Sequence, residues 1–337
     1  MPSLASVSFE VALPFKSIPT PCFTLGTRLA LRGACRLRSA VRERRTTMPR
    51  SGRDTPRTFS RARLLRQGAA LALALCSALA SVDAARADVT AIPQATCRAM
   101  KDGHVLADAS PVPCDRLREV SFRFIDFTGE TRLGRVVVMD AVARPVQALF
   151  DELLARRFPL RRAEPMQAYM GDDDASMDHD NTSGFNARLV AGSSQWSLHA
   201  FGLAIDLNPV ENPFIEVADD GRTLRVSPAA SARAFVNRRE PRPPRSGLAE
   251  DVVEVFAEHG FLVWGGDWNS PIDYQHFEAG DQDFAQRLLQ ATPSEAASLV
   301  DARIERYRRC SAALAATGSP EALRVRCVLT AMHPGAD

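Results

Sequence analysis

The chain has 337 residues, of which 45% are hydrophobic and 24% charged, enough apolar material for one sizeable core or two small ones and too much for a wholly disordered protein. Its net charge is only +2, and no run mixes dense Lys/Arg with aromatics, which excludes a nucleic-acid groove.

The first stretch is rich in Arg and poor in Asp and Glu, as in "CRLRSAVRERR" and "SRARLLRQ", and reads as targeting sequence. From Arg61 to Ala87 a basic segment leads into the apolar run "GAALALALCSALA" and then small residues ending "DAARA". This is the layout of a secretory signal peptide, and the run falls short of the roughly 20 residues that a membrane anchor needs. Residues 48–87 are therefore expected to form the signal segment, with cleavage near Ala87 placing a protein that begins at Asp88 in the periplasm or outside the cell. Met48 makes the better start for such a segment, so residues 1–47 read as an upstream extension or a long leader outside the fold. A lipoprotein reading of Cys76 is disfavoured by the preceding Leu75, where a small residue is needed.

Of the seven cysteines, Cys22, Cys35 and Cys76 fall in this leader and Cys97, Cys114, Cys310 and Cys327 follow it. Four cysteines in an exported chain suggest two disulfides. Cys97/Cys114 and Cys310/Cys327 are each 17 positions apart, and local pairing would close two small loops at roughly 3 kcal/mol each. The other two pairings stay open. A four-cysteine zinc site is the rival, but its ligands come in closer pairs.

Residues 88–117 read as an irregular segment stapled by the first cysteine pair. In "VSFRFIDF" apolar Val120, Phe122 and Phe124 alternate with Ser121 and Arg123, "TGETRLG" turns, and "RVVVMDAV" runs apolar again, predicting a β-hairpin. Val146, Leu149, Phe150, Leu153 and Leu154 in "ARPVQALFDELLARR" have helical spacing, with Pro145 in the first turn. "PLRRAEPMQAYM" reads as a short strand and "GDDDASMDHDN" as an acidic loop. Beyond Asn208 the prolines predict a long surface excursion up to Ser246. A second helix is expected from Leu248 to His259, ending at Gly260. "FLVWGGDW" then reads as a strand and glycine turn, "DYQHFEA" as a last strand, and the chain after Asp283 as helical. The expected architecture is α+β: a small, mostly antiparallel sheet with flanking helices, residues 118–290 forming the main domain and residues 291–337 a helical tail with the second cysteine pair.

The run "SLHAFGLAIDLNP" reads as strand-like, with Leu203, Ile205 and Leu207 on one face and Ala204, Asp206 and Asn208 on the other. Asp206 thus points away from the aliphatic packing, and His276 in "DYQHFE" lies beside Phe277, which faces the core. A semi-buried carboxylate is costly unless it is paired or binds a metal. His199, Asp206 and His276 together have the donor set of a Zn2+ site with an open fourth position. Asp273, one short turn from His276, is placed to take a proton from the attacking water. Singly, each has a plainer reading as a hydrogen-bonded structural residue.

The pattern "SxHxxGxAxD", here Ser197, His199, Gly202, Ala204 and Asp206, followed by Trp268, Asp273, His276, Phe277 and Glu278, resembles the zinc D-alanyl-D-alanine carboxypeptidase family. That family also includes vancomycin-resistance D-Ala-D-Ala dipeptidases and phage L-alanyl-D-glutamate endopeptidases. The resemblance spans about Val120 to Ala279 and is nearest to the branch in which "GDDDASM" and "NTSxFNxR", here Gly171 to Met177 and Asn181 to Arg188, precede the first motif. It implies a Hedgehog/D,D-peptidase-like fold, zinc on His199, Asp206 and His276, and Asp273 as general base, a position where many relatives carry glutamate. It also implies an arginine that stabilises the oxyanion, for which Arg188 is the candidate. Ser197 is expected to support the site by hydrogen bonding, Glu278 to orient a ligand, and Gly202 and Ala204 to keep the space over the metal small. Trp264 reads as packing, the run Asp172 to Asp174 as a solvated or helix-capping loop rather than a calcium site, and His104, His179, His259 and His333 as surface residues. The implied partners are peptidoglycan stem peptides, met by a monomer without membrane or nucleic acid. The rival class is a non-catalytic wall-binding or signalling domain that keeps the zinc, as Hedgehog domains do. The proline-broken segment from Val210 to Ser246 is expected to shape which bond is cut.

Overall fold

The computed structural model describes residues 88–218, 220–239, 245–314 and 318–333. The expected signal segment and cleavage point, with Cys22, Cys35 and Cys76, lie outside the described residues.

The predicted hairpin forms from β2 (Leu117–Ile125) and β3 (Thr131–Met139), with Leu117 opposite Met139 and Ile125 opposite Thr131. Its turn is set by Asp126, whose Oδ1 accepts the N–H groups of Thr128 and Glu130, and by Gly129 at φ +86°. Val120, Phe122 and Phe124 point inward and meet α2 (Ala143–Ala155), which buries Val146, Leu149, Phe150 and Leu153. Phe150 stacks on Phe122 with ring centroids 3.6 Å apart. Pro145 sits in the first turn of α2, where no intrahelical N–H bond is lost.

The segment expected to be irregular is ordered: β1 (Asp88–Ala91) adds to the free edge of β2, and α1 (Gln94–Asp102) follows. Cys97 on α1 bonds Cys114 just before β2, Cα atoms 6.1 Å apart, so pairing is local here and also at Cys310–Cys327, 5.4 Å apart. "PLRRAEPMQAYM" makes no strand, only isolated bridges from Pro159 and Arg162 and a 3-10 turn over Met166–Tyr169, since Pro159 and Pro165 each lack a ladder donor. The acidic run forms α3 (Asp173–Asp178), capped by Asp172 Oδ1, which accepts the N–H of Ala175 at 3.0 Å.

Instead of one sheet, the described residues form three, each three-stranded and antiparallel. The second has the order β4 (Ala204–Asp206), β9 (His276–Glu278), β7 (Val263–Trp264), and the third the order β6 (Leu224–Ser227), β5 (Phe214–Val217), β8 (Ile272–Asp273). The segment after Asn208 is thus not a plain excursion, because it contributes the β5–β6 hairpin. "DYQHFEA" likewise splits into β8 and β9, which belong to different sheets.

Phe277 on β9 lies opposite both Ile205 and Trp264 and stacks on Phe256 of α4 (Val253–Glu258), at 3.8 Å between centroids. Helix α4 is shorter than predicted, preceded by a 3-10 turn over Ala249–Asp251. Helices α5 (Gln282–Gln290), α6 (Pro293–Leu314) and α7 (Pro320–Met332) complete the order. Ala296, Val300 and Ile304 of α6 join the core shared by the hairpin and α2, whereas Tyr307, Cys327 and Ala331 pack with Ala257 and Leu262 in a second cluster. Among the described residues no helix is long and apolar enough to cross a membrane.

His259 corrects one expectation. It is buried, with Nδ1 2.8 Å from the Val255 carbonyl and Nε2 3.7 Å from Glu152, because α4 ends against α2.

Asp180 and Glu211 are both buried carboxylic acids, and each bears on the other's titration. Burial first, then Asp180, pushes the Glu211 pKa up to about 8, so the folded chain holds a proton that the unfolded chain releases at ordinary carboxylate pH. The unfolded state then binds fewer protons, and stability falls as pH rises from about 4.5 towards about 8. Glu211→Gln keeps the protonated shape, and its unfolding free energy is expected to match wild type at pH 5 and to exceed it at pH 9 by on the order of a few kcal/mol, seen as a higher melting temperature at pH 9 only. Equal differences at both pH values would contradict this assignment of the proton.

Candidate metal centre

The strand-like appearance of "SLHAFGLAIDLNP" holds only from Ala204 onward. Leu198–Phe201 is a 3-10 turn capped by Ser197, whose Oγ accepts the His199 N–H at 3.3 Å, and Gly202 ends it at φ +65°. A Cβ at Gly202 would come within 2.5 Å of the Met139 N on β3, so Gly202 sets backbone packing rather than the space over the site. This turn swings His199 to the face occupied by Asp206.

The antiparallel register does the rest. Asp206 lies directly opposite His276 and Ala204 opposite Glu278, so alternation places His276, Glu278 and Asp206 on one face, while Ile205 and Phe277 pack on the other. His199 Nε2 is 3.2 Å from His276 Nδ1 and 3.1 Å from Asp206 Oδ2, and His276 Nδ1 is 2.9 Å from Asp206 Oδ1. One donor atom from each of the three lies within 4.8 Å of the others.

The neighbours fix the tautomers. Nδ1 of His199 is 2.6 Å from the Gly184 carbonyl, which can only accept, so Nδ1 carries the proton and Nε2 faces the centre. His276 Nε2 is 2.9 Å from Glu278 Oε1, which leaves Nδ1 facing the centre. Two imidazole lone pairs and a carboxylate therefore converge, an arrangement that needs a proton or a cation between them. Burial disfavours charge on His276, but hydrogen bonds to Asp206 and Glu278 outweigh it and hold its pKa well above the ordinary histidine value. Burial likewise opposes charge on Asp206, yet the two histidines keep its carboxyl far below the usual range. The 3.2 Å gap between the ring nitrogens is close to the edge of a tetrahedron, about 3.3 Å, built on Zn–N bonds of about 2.0–2.1 Å. The donor set and its spacing fit zinc.

Asp273 ends β8 beside this cluster, and burial first, offset by His276 and reinforced by Asp206, pushes its pKa up to about 6. Its Oδ1 is buried with no hydrogen-bond partner among the described residues, as a carboxylate awaiting a water or substrate donor would be. The Trp268 ring lies 5.5 Å from the His276 ring, while Trp264 packs in the core and donates Nε1–H to the Tyr274 carbonyl at 2.9 Å.

The segment from Asn181 to Arg188 frames the centre. Ser183 pairs with Asp206, exchanging both backbone hydrogen bonds at 3.0 Å, and Phe185 N–H bonds the Val137 carbonyl of β3. Gly184 is pressed so close to β3 that a Cβ would lie 2.5 Å from the Val137 oxygen, and this closeness presents its carbonyl to His199. Arg188, half-buried, forms an ion pair with Asp173 of α3, whose other oxygen accepts Asn186 Nδ2 at 2.7 Å. Burial lowers the Arg188 pKa, and the negative charges of Asp206 and Asp273 act against that shift. Asp173 reads in the sequence only as part of a helix-capping acidic run, not as a partner of Arg188, and nothing there singles out the Gly184 carbonyl. A capping-type acidic run hides the first, and a backbone carbonyl leaves no side-chain signal for the second.

Residues 191–279 match the family described as D-alanyl-D-alanine carboxypeptidase. The match takes in His199, Asp206, Asp273 and His276 but begins after Arg188 and ends before α5. No match is found among curated proteins or among solved structures.

Proposed function

We propose that the chain is an exported zinc-dependent peptidase that hydrolyses an amide bond in peptidoglycan stem peptides, as a D-alanyl-D-alanine carboxypeptidase or an L,D-endopeptidase. The observation that carries this reading is the convergence of His199 Nε2, His276 Nδ1 and Asp206 beside a buried, unpartnered carboxylate oxygen of Asp273. The match of residues 191–279 supports the peptidase class.

His199, Asp206 and His276 would hold the metal, with the Gly184 carbonyl and Glu278 fixing the two rings. When bound, zinc supplies Lewis acidity, acidifying a water and polarising the scissile carbonyl. The residues of the chain do the proton work. Asp273 accepts a proton at Oδ1 as the water attacks and returns it to the leaving amine, and a pKa near neutrality suits both transfers. We assign to Arg188, held by Asp173, the stabilisation of the developing oxyanion. The β5–β6 hairpin stands next to the base, since Phe214 pairs with Asp273, and we assign the choice of bond to this wall.

Arg188→Met is expected to lower kcat by roughly 100-fold, in line with loss of one oxyanion donor. Asp173→Asn should cost about tenfold by letting the guanidinium wander. Steady-state kinetics on a purified muropeptide measures both, and wild-type kcat in Arg188→Met would remove it from the reaction.

Mass spectrometry of defined muropeptides after incubation with the protein tests the function itself. Loss of one alanine identifies a carboxypeptidase, and release of a longer peptide identifies an endopeptidase. No product from zinc-loaded protein would overturn the reading in favour of a non-catalytic wall-binding domain.

A further inference from the structure

The second cysteine pair lies beyond the matched residues, yet its helices reach the site. Helix α7 is capped by Ser319 and tied to α6 by Cys310–Cys327, both cysteines packing in the cluster around Tyr307. One turn before Cys327, Arg324 is buried and makes a bidentate ion pair with Asp267, at 2.9 Å to Oδ1 and 2.8 Å to Oδ2. Its guanidinium also lies 5.9 Å from the Trp264 ring centroid.

Asp267 closes the 3-10 turn Gly265–Asp267, and this turn touches the proposed machinery at two points. Gly265 abuts β8 so tightly that a Cβ there would lie 2.4 Å from the Asp273 carbonyl oxygen and 2.9 Å from its Cβ. Trp268, whose N–H bonds the Gly265 carbonyl at 3.2 Å, carries its ring against His276. A glycine pair gives the turn little stiffness of its own, so its position depends on what holds Asp267.

We propose that Arg324 is a positioning residue for Asp273: disulfide-linked α7 braces the Gly265–Asp267 turn, which backs the base and sets Trp268 against His276. The inference rests on the assignment of Asp273 as the base. Arg324 acts at one remove, because its partners are Asp267 and Trp264 and the turn transmits its position. The metal ligands sit on β4, β9 and the 3-10 turn before β4, so loosening the brace leaves zinc content intact.

The test compares full-length Arg324→Met, Arg324→Lys and, as control, the exposed Arg326→Met. Amide hydrogen exchange is read over residues 263–276, alongside zinc content and kinetics on a muropeptide. Arg324→Met is expected to raise exchange across the turn by ~10-fold or more. It should lower kcat by ~10- to 100-fold at unchanged KM and zinc content, the scale of a small misplacement of a catalytic group. Arg324→Lys, which keeps one charged bond to Asp267, should recover part of both, and Arg326→Met should match wild type. Wild-type exchange and kcat in Arg324→Met would overturn the proposal. If Arg324→Met does not fold, the double variant Cys310→Ala/Cys327→Ala, which keeps Arg324, must show the faster exchange, and its absence overturns the brace. A wild type without turnover overturns the peptidase reading instead, and exchange still judges the brace.

Discussion

Replacing His199 or His276 by alanine is expected to abolish zinc binding and to cut turnover by at least ~1,000-fold. Each ring offers one nitrogen to the centre while the other is tied, His199 to the Gly184 carbonyl and His276 to Glu278. Loss of such an outer partner alone costs about 10- to 100-fold in metal affinity or activity, so loss of the ligand itself must cost more. Alanine also strips Asp206 of a counter-charge in a buried setting, and a lower melting temperature should accompany the lost metal. Glu278→Gln is a useful comparison: its amide can still accept from His276 Nε2, so it should weaken zinc binding without abolishing it. Zinc per chain by mass spectrometry or atomic absorption reads the outcome, and stoichiometric zinc in both alanine variants would contradict the ligand set.

Asp273→Asn should give the opposite combination, full zinc content with kcat down by roughly 100- to 10,000-fold, the range spanned by general acid–base catalysis. Asp273 touches none of the three ligands by hydrogen bond, so its loss leaves the centre assembled. The pH profile carries the sign. Asp273 as proposed base would work only when deprotonated, and burial pushes its pKa up to about 6 before any dication is bound. A bound zinc ion attracts the carboxylate form, so kcat/KM should rise with pH through an apparent pKa at or below about 6 and flatten above it. That limb should vanish in Asp273→Asn. Persistence of the limb with wild-type kcat would move the base elsewhere.

The part of the site written in period two was legible. Alternation along "AIDLN" and "HFE" put Asp206 and His276 on the faces opposite Ile205 and Phe277, and the β4–β9 register bears that out. His199 was legible as a residue but not as a conformation, because the strand pattern runs straight through a 3-10 turn that only Gly202, pressed against β3, reveals. The hairpin and α2 followed from their apolar spacing. β1 did not, since four residues have little preference of their own and form a strand only because β2 offers an edge. The pairing of β5 with β8 and the reach of Arg324 to Asp267 join segments some 57 or more residues apart, and no local pattern encodes them. His259 read as a surface residue for the same reason: its burial comes from α2, more than a hundred positions earlier.

Zinc titration of chelator-stripped protein, with muropeptide turnover followed at each addition, tests the central claim most directly. Activity should be absent at the start, rise linearly with added zinc and saturate at one ion per chain, and the same titration of His276→Ala should stay flat. Turnover by the stripped protein, or recovery of turnover in His276→Ala, would contradict a peptidase centred on His199, Asp206 and His276.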